Sequence, residues 1–414
     1  VRLVVRDDAL ARDRLTVLFR LVLALPLVVW VTLRGLAALV VAVGNWLAVL
    51  IERRAPTSLH TFVASYVRYA TQVSAWVFLA ADPYPWFRCQ ADYPIDLRIA
   101  PPEPQSRWSG LVRLPLALPA LLLALVLGGG LIVSAADPWS ASEGAAAAAA
   151  FLAWFASLAL GRVPRGLRDL VLFALSYAAQ TSAYLLLLTP RYPTSDPALA
   201  EPYTRLPHHP VRVVVADDLE RPRLIVLFRA LLAVPHVVWL ALWSVAVVLA
   251  ALVAWAAALV AGRVPVRLQR FLAAYVRAVA HLTAFVSLVG RRFPGFTGRG
   301  GSYGIDIAIE PANRQSRWKT LLRLPLAVPA LILASALGSV LLVVGFLGWW
   351  HALATRRMPE GLRALGASCI RYLAQTEAFA LLLTDRYPYA APVLRERLRD
   401  VQPVLGHPLP GDAF

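Results

Sequence analysis

Long apolar runs broken by short polar punctuation dominate this chain. Residues 14–51 open with Arg14, Arg20 and Pro26, each six positions apart, and then stay almost wholly apolar. The same Arg-x5-Arg-x5-Pro spacing returns at Arg107, Arg113 and Pro119, at Arg223, Arg229 and Pro235, and at Arg317, Arg323 and Pro329. Self-similarity of this kind marks a chain built from repeats. Each copy is preceded by a short alternating segment, at residues 1–5, 95–100, 211–216 and 305–310. Period two puts Ile305, Ile307 and Ile309 on one face, the pattern of a half-buried strand. After each apolar run comes a short basic turn, at 52–56, 161–164, 262–265 and 356–359. A second helical stretch follows and ends at Tyr84-Pro85, Tyr192-Pro193, Phe293-Pro294 or Tyr387-Pro388.

These landmarks divide the chain into repeats at 1–90, 91–208, 209–296 and 297–390, with a polar tail at 391–414. Residues 194–209, rich in proline and polar side chains, link the second repeat to the third. The second and fourth repeats share Gln-Ser-Arg-Trp at 105–108 and 315–318, and the first and third share Leu-Phe-Arg at 18–20 and 227–229. A two-repeat block duplicated whole is the simplest history.

Two topologies compete, each with two crossings per repeat. In one, the apolar run is a single long tilted helix and the next stretch is a second crossing. In the other, the run is a hairpin of two crossings and the next stretch is an amphipathic helix on the membrane surface. Residues 15–51 would make about 55 Å of helix, against a hydrocarbon core of about 30 Å. In the second repeat the run carries a polar insert at 136–144, which suits a turn and is expensive in mid-bilayer. The corresponding turns elsewhere would be Arg34-Gly35, Trp243-Ser244 and Gly338-Ser339. The second stretch carries polar pairs four apart, Arg68/Gln72, Ser176/Gln180, Arg277/His281 and Arg371/Gln375. An arginine there would cost roughly 3 kcal/mol in mid-bilayer and little at the interface. The hairpin is therefore the favoured expectation. The fold class is an α-helical integral membrane protein of four repeats, with about eight membrane-crossing helices. Each repeat adds an amphipathic interfacial helix and a strand, and the four strands could form one small cytoplasmic sheet.

Composition supports the membrane reading. Of the 414 residues 59% are hydrophobic, and the mean hydropathy is +0.62, well above a soluble domain. The net charge is +17, with Lys319 the sole lysine among 41 basic residues. In the hairpin topology every basic residue except Arg34 falls on the strand side. That places the strands in the cytoplasm. Beside so much apolar sequence, the basic excess points to topology signalling and anionic lipid, not nucleic acid. No apolar segment ends in a cleavage pattern for a removable signal. Two cysteines, Cys89 and Cys369, make neither a disulfide framework nor a four-ligand metal site.

Candidate chemistry is sparse. The polar stripe Arg68, Gln72, Gln180, Arg277, His281, Arg371 and Gln375, with Glu377 close by, could line a substrate or ion path in a transporter or channel. Its plainer reading is the polar face of an interfacial helix, with Glu377 paired to an arginine. Arg14, Arg20, Arg107, Arg113, Arg223, Arg229, Arg317 and Arg323 could contact lipid headgroups or a partner's acidic face. Their plainer role is to snorkel and set topology. No His-x3-His or Cys-x2-Cys spacing suggests a metal, and no cofactor is expected. The glycine clusters 128–130 and 298–301 lack phosphate-loop context and read as helix flexibility and loop. No Gly-x-Ser-x-Gly elbow is present.

Several motifs together resemble a known family: Ala-Val-Pro-His at 233–236, Gly-Arg-Val-Pro at 161–164 and 262–265, Gln-Thr-Ser-Ala-Tyr at 180–184, and Leu-Leu-Leu-Thr-Asp-Arg-Tyr-Pro at 381–388. The text is similar to the bacterial membrane family called domain of unknown function 4389, over most of residues 1–390. The first repeat departs most, with Glu-Arg-Arg-Ala-Pro at 52–56. The resemblance implies a multi-pass membrane protein and supplies no catalytic residues. The expectation is a non-enzymatic scaffold, membrane-shaping or interaction protein whose partners are anionic lipids and a membrane protein. The alternative is a transporter or channel.

Overall fold

The computed structural model describes residues 1–7, 9–128, 144–199, 209–310 and 314–393. Strand β1 (Arg2–Val5) leads into α1 (Arg14–Glu52) and α2 (Thr57–Val77). The second repeat has β2 (Ile95–Arg98), a short α3 (Arg107–Leu111), α4 (Arg113–Gly128), α5 (Ala145–Leu160) and α6 (Arg165–Leu185). The third has β3 (Val211–Val215), α7 (Arg223–Ala261) and α8 (Val266–Val286). The fourth has β4 (Ile305–Ile309), α9 (Arg317–Leu321), α10 (Arg323–Thr355) and α11 (Glu360–Ala380).

Each repeat is a helical hairpin, but its arms differ from the expectation. In the first, third and fourth repeats the apolar run does not fold back on itself. α1 and α7 are single helices of 39 residues and α10 one of 33. Arg34-Gly35, Trp243-Ser244 and Gly338-Ser339 all lie inside helices. Runs of Leu, Ala and Val carry the helix through these points, and the serines satisfy themselves locally. Ser244 and Ser339 donate to the carbonyls of Ala241 and Ser335, as mid-helix serines do. Gly35 is needed for packing, not turning, because a Cβ there would sit 2.8 Å from the Tyr66 hydroxyl. Arg34 is likewise no external residue; it donates to Ser65 on α2 and lies over the Tyr69 ring. The polar insert 136–144 falls almost wholly outside the described residues, as do parts of the linker, most of the tail and two of the glycines at 128–130.

The hairpin's second arm is the amphipathic helix, and it is not on a surface. On α2 every residue from Tyr69 to Trp76 is buried, and α6 is more deeply buried still. The long apolar helices lie outside these, with Leu15, Leu25, Leu36, Val43 and Ile51 exposed along the whole of α1. One side of α2 (Tyr69, Val73, Trp76) packs on Ala24 and Leu27 of α1. Another side, carrying Arg68 and Gln72, bonds to the strand segment at Asp96 and Gln90. The result is three layers: strands, amphipathic helices, apolar helices.

The strands form two sheets and not one. β1 pairs antiparallel with β2 (Leu3 opposite Leu97), and β3 with β4 (Val213 opposite Ile307). Antiparallel pairing follows from the way the repeats interlock. The start of α1 meets the end of α5, where the Arg12 N–H donates to Gly161. The end of α1 meets the start of the next repeat, where the Gln105 N–H donates to Arg53. Arg221 to Arg356 and Gln315 to Gly262 repeat this in the second block. Sister repeats thus run in opposite directions about a local two-fold, and successive strands feed opposite ends.

The Gly298 loop is fastened to α8. At φ 58° a Cβ on Gly298 would run into the Ala274 carbonyl oxygen, whereas Gly301 at φ 74° faces open space. Substituting Gly298 by Ala should therefore cost about 3 kcal/mol or more, and Gly301 by Ala about 1 kcal/mol. Thermal unfolding of the two variants checks this, and equal losses would refute the tight contact.

Candidate functional site

A helix ending inside a protein leaves its last carbonyls without partners. All four amphipathic helices end this way, and each ends on a leucine in the left-handed region: Leu79, Leu187, Leu288 and Leu382, at φ 60–62°. This conformation costs a β-carbon residue roughly 1 kcal/mol. The exposed carbonyls then draw in side chains from both repeats of a block.

The second arginine of each lead-in supplies the main donor. Arg20, Arg113, Arg229 and Arg323 are each only 2% exposed. Arg113 donates to the carbonyls of Tyr184 (2.7 Å) and Thr189 and to Gln105 Oε1. Arg323 reaches the Thr384 carbonyl, Gln315 Oε1 and Asp385. Arg229 donates to Phe285, Gly290 and Arg291, and Arg20 to Ala81 and Asp82. Each guanidinium also lies over an aromatic ring of the helix it closes: Trp76 at 4.7 Å, Tyr184 at 4.0 Å, Phe285 at 4.3 Å and Phe379 at 4.5 Å. Each of those rings meets a second aromatic eight residues on, namely Tyr84, Tyr192, Phe293 and Tyr387. Cation, helix dipole and ring quadrupole all act in the same sense.

The first arginine does a different job. Six residues turn a helix by about 240°, so the two arginines of one lead-in point different ways. Arg14, Arg107, Arg223 and Arg317 are exposed and donate to Ala159, Ile51, Ala354 and Val260, at the ends of the sister repeats' long helices. Of the eight arginines read as headgroup or partner contacts, these four remain at the surface. The other four are buried, so they are unavailable to headgroups.

Sequence reasoning missed the side chains that hold the left-handed leucines. Arg12 and Arg221 donate to the carbonyls of Leu79 and Leu288, and Gln105 and Gln315 to those of Leu187 and Leu382. Burial lowers the pKa of both Arg12 and Arg221, which carboxylates nearby partly offset. Gln105 and Gln315 stood in the shared Gln-Ser-Arg-Trp motif, which was the available signal.

The polar stripe faces the strand layer. Arg68 forms a two-pronged bond to Asp96, and Gln72 bonds Gln90 and Asp96. Gln180 bonds Ser176 and the Thr194 N–H. Arg277 donates to Ile307, and His281 sits 2.8 Å from Asp306. Burial alone would raise the Asp306 carboxyl, but bonds from His281, Gly301 and Ile307 outweigh it and hold the pKa down. Arg371 donates to Tyr389, Ala391 and Val393, and Gln375 to Val211. Arg68, Gln72, Arg277, His281 and Gln375 fasten strands to helices, whereas Gln180 and Arg371 hold the chain that follows their own helices. The cavity that Glu377 lines includes none of Gln180, His281 and Gln375.

Glu377 stands apart and pairs with no arginine among the described residues. It lines a cavity of about 30 Å³ between α8 and α11 with Thr283, Ala280 and Ile370, room for about one water. Burial pushes its carboxyl up to about 7. A larger opening of about 690 Å³ lies by Asp217, Arg291, Arg292 and Tyr303. Among the described residues no three His, Cys, Asp or Glu side chains could together hold a metal ion.

The chain matches the family profile described as Domain of unknown function (DUF4389) at residues 14–88, 111–195, 223–297 and 317–391. It belongs to this family. The four DUF4389 copies each begin at or near the lead-in and run past the second aromatic of the ring pair, so they contain the arginine and ring closure. No curated protein and no solved structure matches the chain.

Two measurements test the site. Arg113→Ala should lose about 3 kcal/mol or more, because buried carbonyls lose a charged donor; Arg113→Lys should recover less than half. Arg107→Ala should lose under about 1 kcal/mol. Thermal melts in detergent would separate these, and equal losses would remove the distinction between the two arginines. The Glu377 carboxyl, raised from 4.5 to about 7, binds its proton more tightly in the fold than in the unfolded chain. Stability should be highest below the ordinary value and fall as pH rises toward about 7. Glu377→Gln should flatten that decline in melting temperature; an unchanged slope would mean another group is responsible.

Proposed function

We propose that this DUF4389 protein is a non-enzymatic membrane protein that scaffolds or shapes a lipid bilayer and assembles there with a membrane-protein partner. One observation carries the reading. α1, α7 and α10 are long and apolar enough to lie in a membrane, and α1 and α7 leave most of their apolar side chains uncovered. Uncovered apolar surface on this scale marks a membrane or protein interaction site. The three helices suggest a membrane location; a bacterial inner membrane with the strand layer toward the cytoplasm is the form proposed here.

Anionic lipids suit the basic surface. Arg53, Arg54, Arg263, Arg267, Arg356 and Arg357 lie exposed at the ends of the long helices, beside Arg14, Arg107, Arg223 and Arg317. The net charge of +17 favours an anionic surface over a neutral one. Nucleic acid is not the partner proposed. A transporter would need a water-filled path at the stripe, and most of the stripe's side chains are occupied by bonds to strands or to the chain after each helix.

The purified chain should float with vesicles containing phosphatidylglycerol, more strongly than with neutral vesicles, and should change their morphology in electron micrographs. Unchanged vesicles together with no co-purifying membrane protein would overturn the scaffold reading.

A further inference from the structure

The path of the chain between sister repeats decides how the molecule can sit in lipid. α1 runs from one end of its block to the other, and α2 returns. Residues 78–82 therefore lie at the starting end, where Leu79 and Ala80 accept bonds from Arg12. Gln105 and Arg107 lie at the opposite end, bonded to Arg53 and Ile51. Residues 83–104 must travel the length of the block as extended chain. On the way they pass the middle of α2, where Gln72 and Arg68 hold Gln90 and Asp96. They also carry Arg88, Asp92, Asp96, Arg98 and Glu103, and Asp92 is 99% exposed.

The second block repeats the path. Gly290 and Arg291 lie by Arg229 at one end, and Gln315 lies by Gly262 at the other. Between them Asp306 and Ile307 are held at mid-helix by His281 and Arg277.

A bundle crossing a bilayer along its helices would put these charged, extended segments through the hydrocarbon. Lipid-exposed irregular backbone does not occur there, and exposed charges are expensive there. Length points the same way. The exposed apolar side chains of α1 run from Leu15 to Ile51, about 54 Å of helix against a core of about 30 Å. Spanning would need a tilt of over 50°, beyond the ~40° upper end seen in membrane helices.

In both blocks the amphipathic helices lie against the strands, and the blocks join where α10 packs on α4 and α5 and where the Tyr389 hydroxyl reaches Asp169 of α6. The charges at both ends of the helices then stand at the rim of a single apolar face. We infer that the protein lies flat, with the long axes of α1, α7 and α10 in the membrane plane, their exposed side sunk into the hydrocarbon of one leaflet and the strand layer in water. One layer of helices about 10 Å thick fits within a leaflet of about 15 Å. This rests on the membrane reading above and gives it a mechanism, since a raft of helices in one leaflet expands that leaflet alone.

Single cysteines test it, in a chain carrying Cys89→Ser and Cys369→Ala and expressed in a bacterial host. Ala9→Cys reports one end of α1, Arg54→Cys the other, and Ala91→Cys the extended segment. All three positions are exposed. A membrane-impermeant maleimide applied to right-side-out and inverted vesicles should label all three from the same side. Labelling of Ala9→Cys and Arg54→Cys from opposite sides, or no labelling of Ala91→Cys from either, would overturn the flat placement and leave the membrane reading intact. Recovery in the soluble fraction, with a second copy covering the apolar face, would overturn both. Should the cysteine variants misfold, polarised infrared spectroscopy of the unaltered chain in aligned bilayers reads the mean helix tilt. An axis near the plane supports the inference, and one near the membrane normal refutes it.

Discussion

Buried helix ends set the terms for this fold. Each amphipathic helix stops in the interior on a left-handed leucine, which turns several carbonyls toward protein instead of water. An unpaired buried carbonyl costs about 1–3 kcal/mol, so the ends require donors. A guanidinium with five donors on a plane can serve several carbonyls and still lie flat on a ring. Arg113 does this through Tyr184 and Thr189 while covering the Tyr184 ring. The donors come from the start of a long helix and from the residues before it, so closing one helix also fixes where the next begins.

That constraint ties the repeats into pairs. The same lead-in whose second arginine closes its own repeat sends its first arginine to the sister's long helix, as Arg223 does to Ala354. A single repeat would leave the first arginine, the long helix's end and its strand without partners. A block of two satisfies all of them about a local two-fold, which explains why the duplicated unit in the sequence is two repeats long.

The layering also reverses the usual order. Two of the long apolar helices, α1 and α7, are the most exposed, and the helices carrying polar stripes are central. Polar groups can be central because most have a fixed partner, in the strands as Asp96 for Arg68 and Asp306 for His281, or in the following chain as Ala391 for Arg371. Apolar helices of this length at the periphery suggest a membrane location.

Repeat number, the starts of the second helices, the strands and the block duplication were all legible in the sequence, because spacing and periodicity are local properties. The ends of those helices were not, for they stop at Val77, Leu185, Val286 and Ala380, ahead of the Tyr-Pro or Phe-Pro pairs. Helix continuity at Arg34-Gly35 was not, since whether a glycine turns a chain or admits a tyrosine depends on what packs there, and Tyr66 is 31 positions away. The stripe residues were found but their partners were not, for Asp96 and Val211 reach them only through the folded strands. The arginines were found as a motif, yet their fate differed. By itself the sequence determined that each repeat needs two arginines six apart, because the lead-in spacing is written four times. Only the tertiary structure decided that one stays at the surface and the other is buried, because that depends on which helix end lies opposite it, and those ends belong to distant stretches of chain.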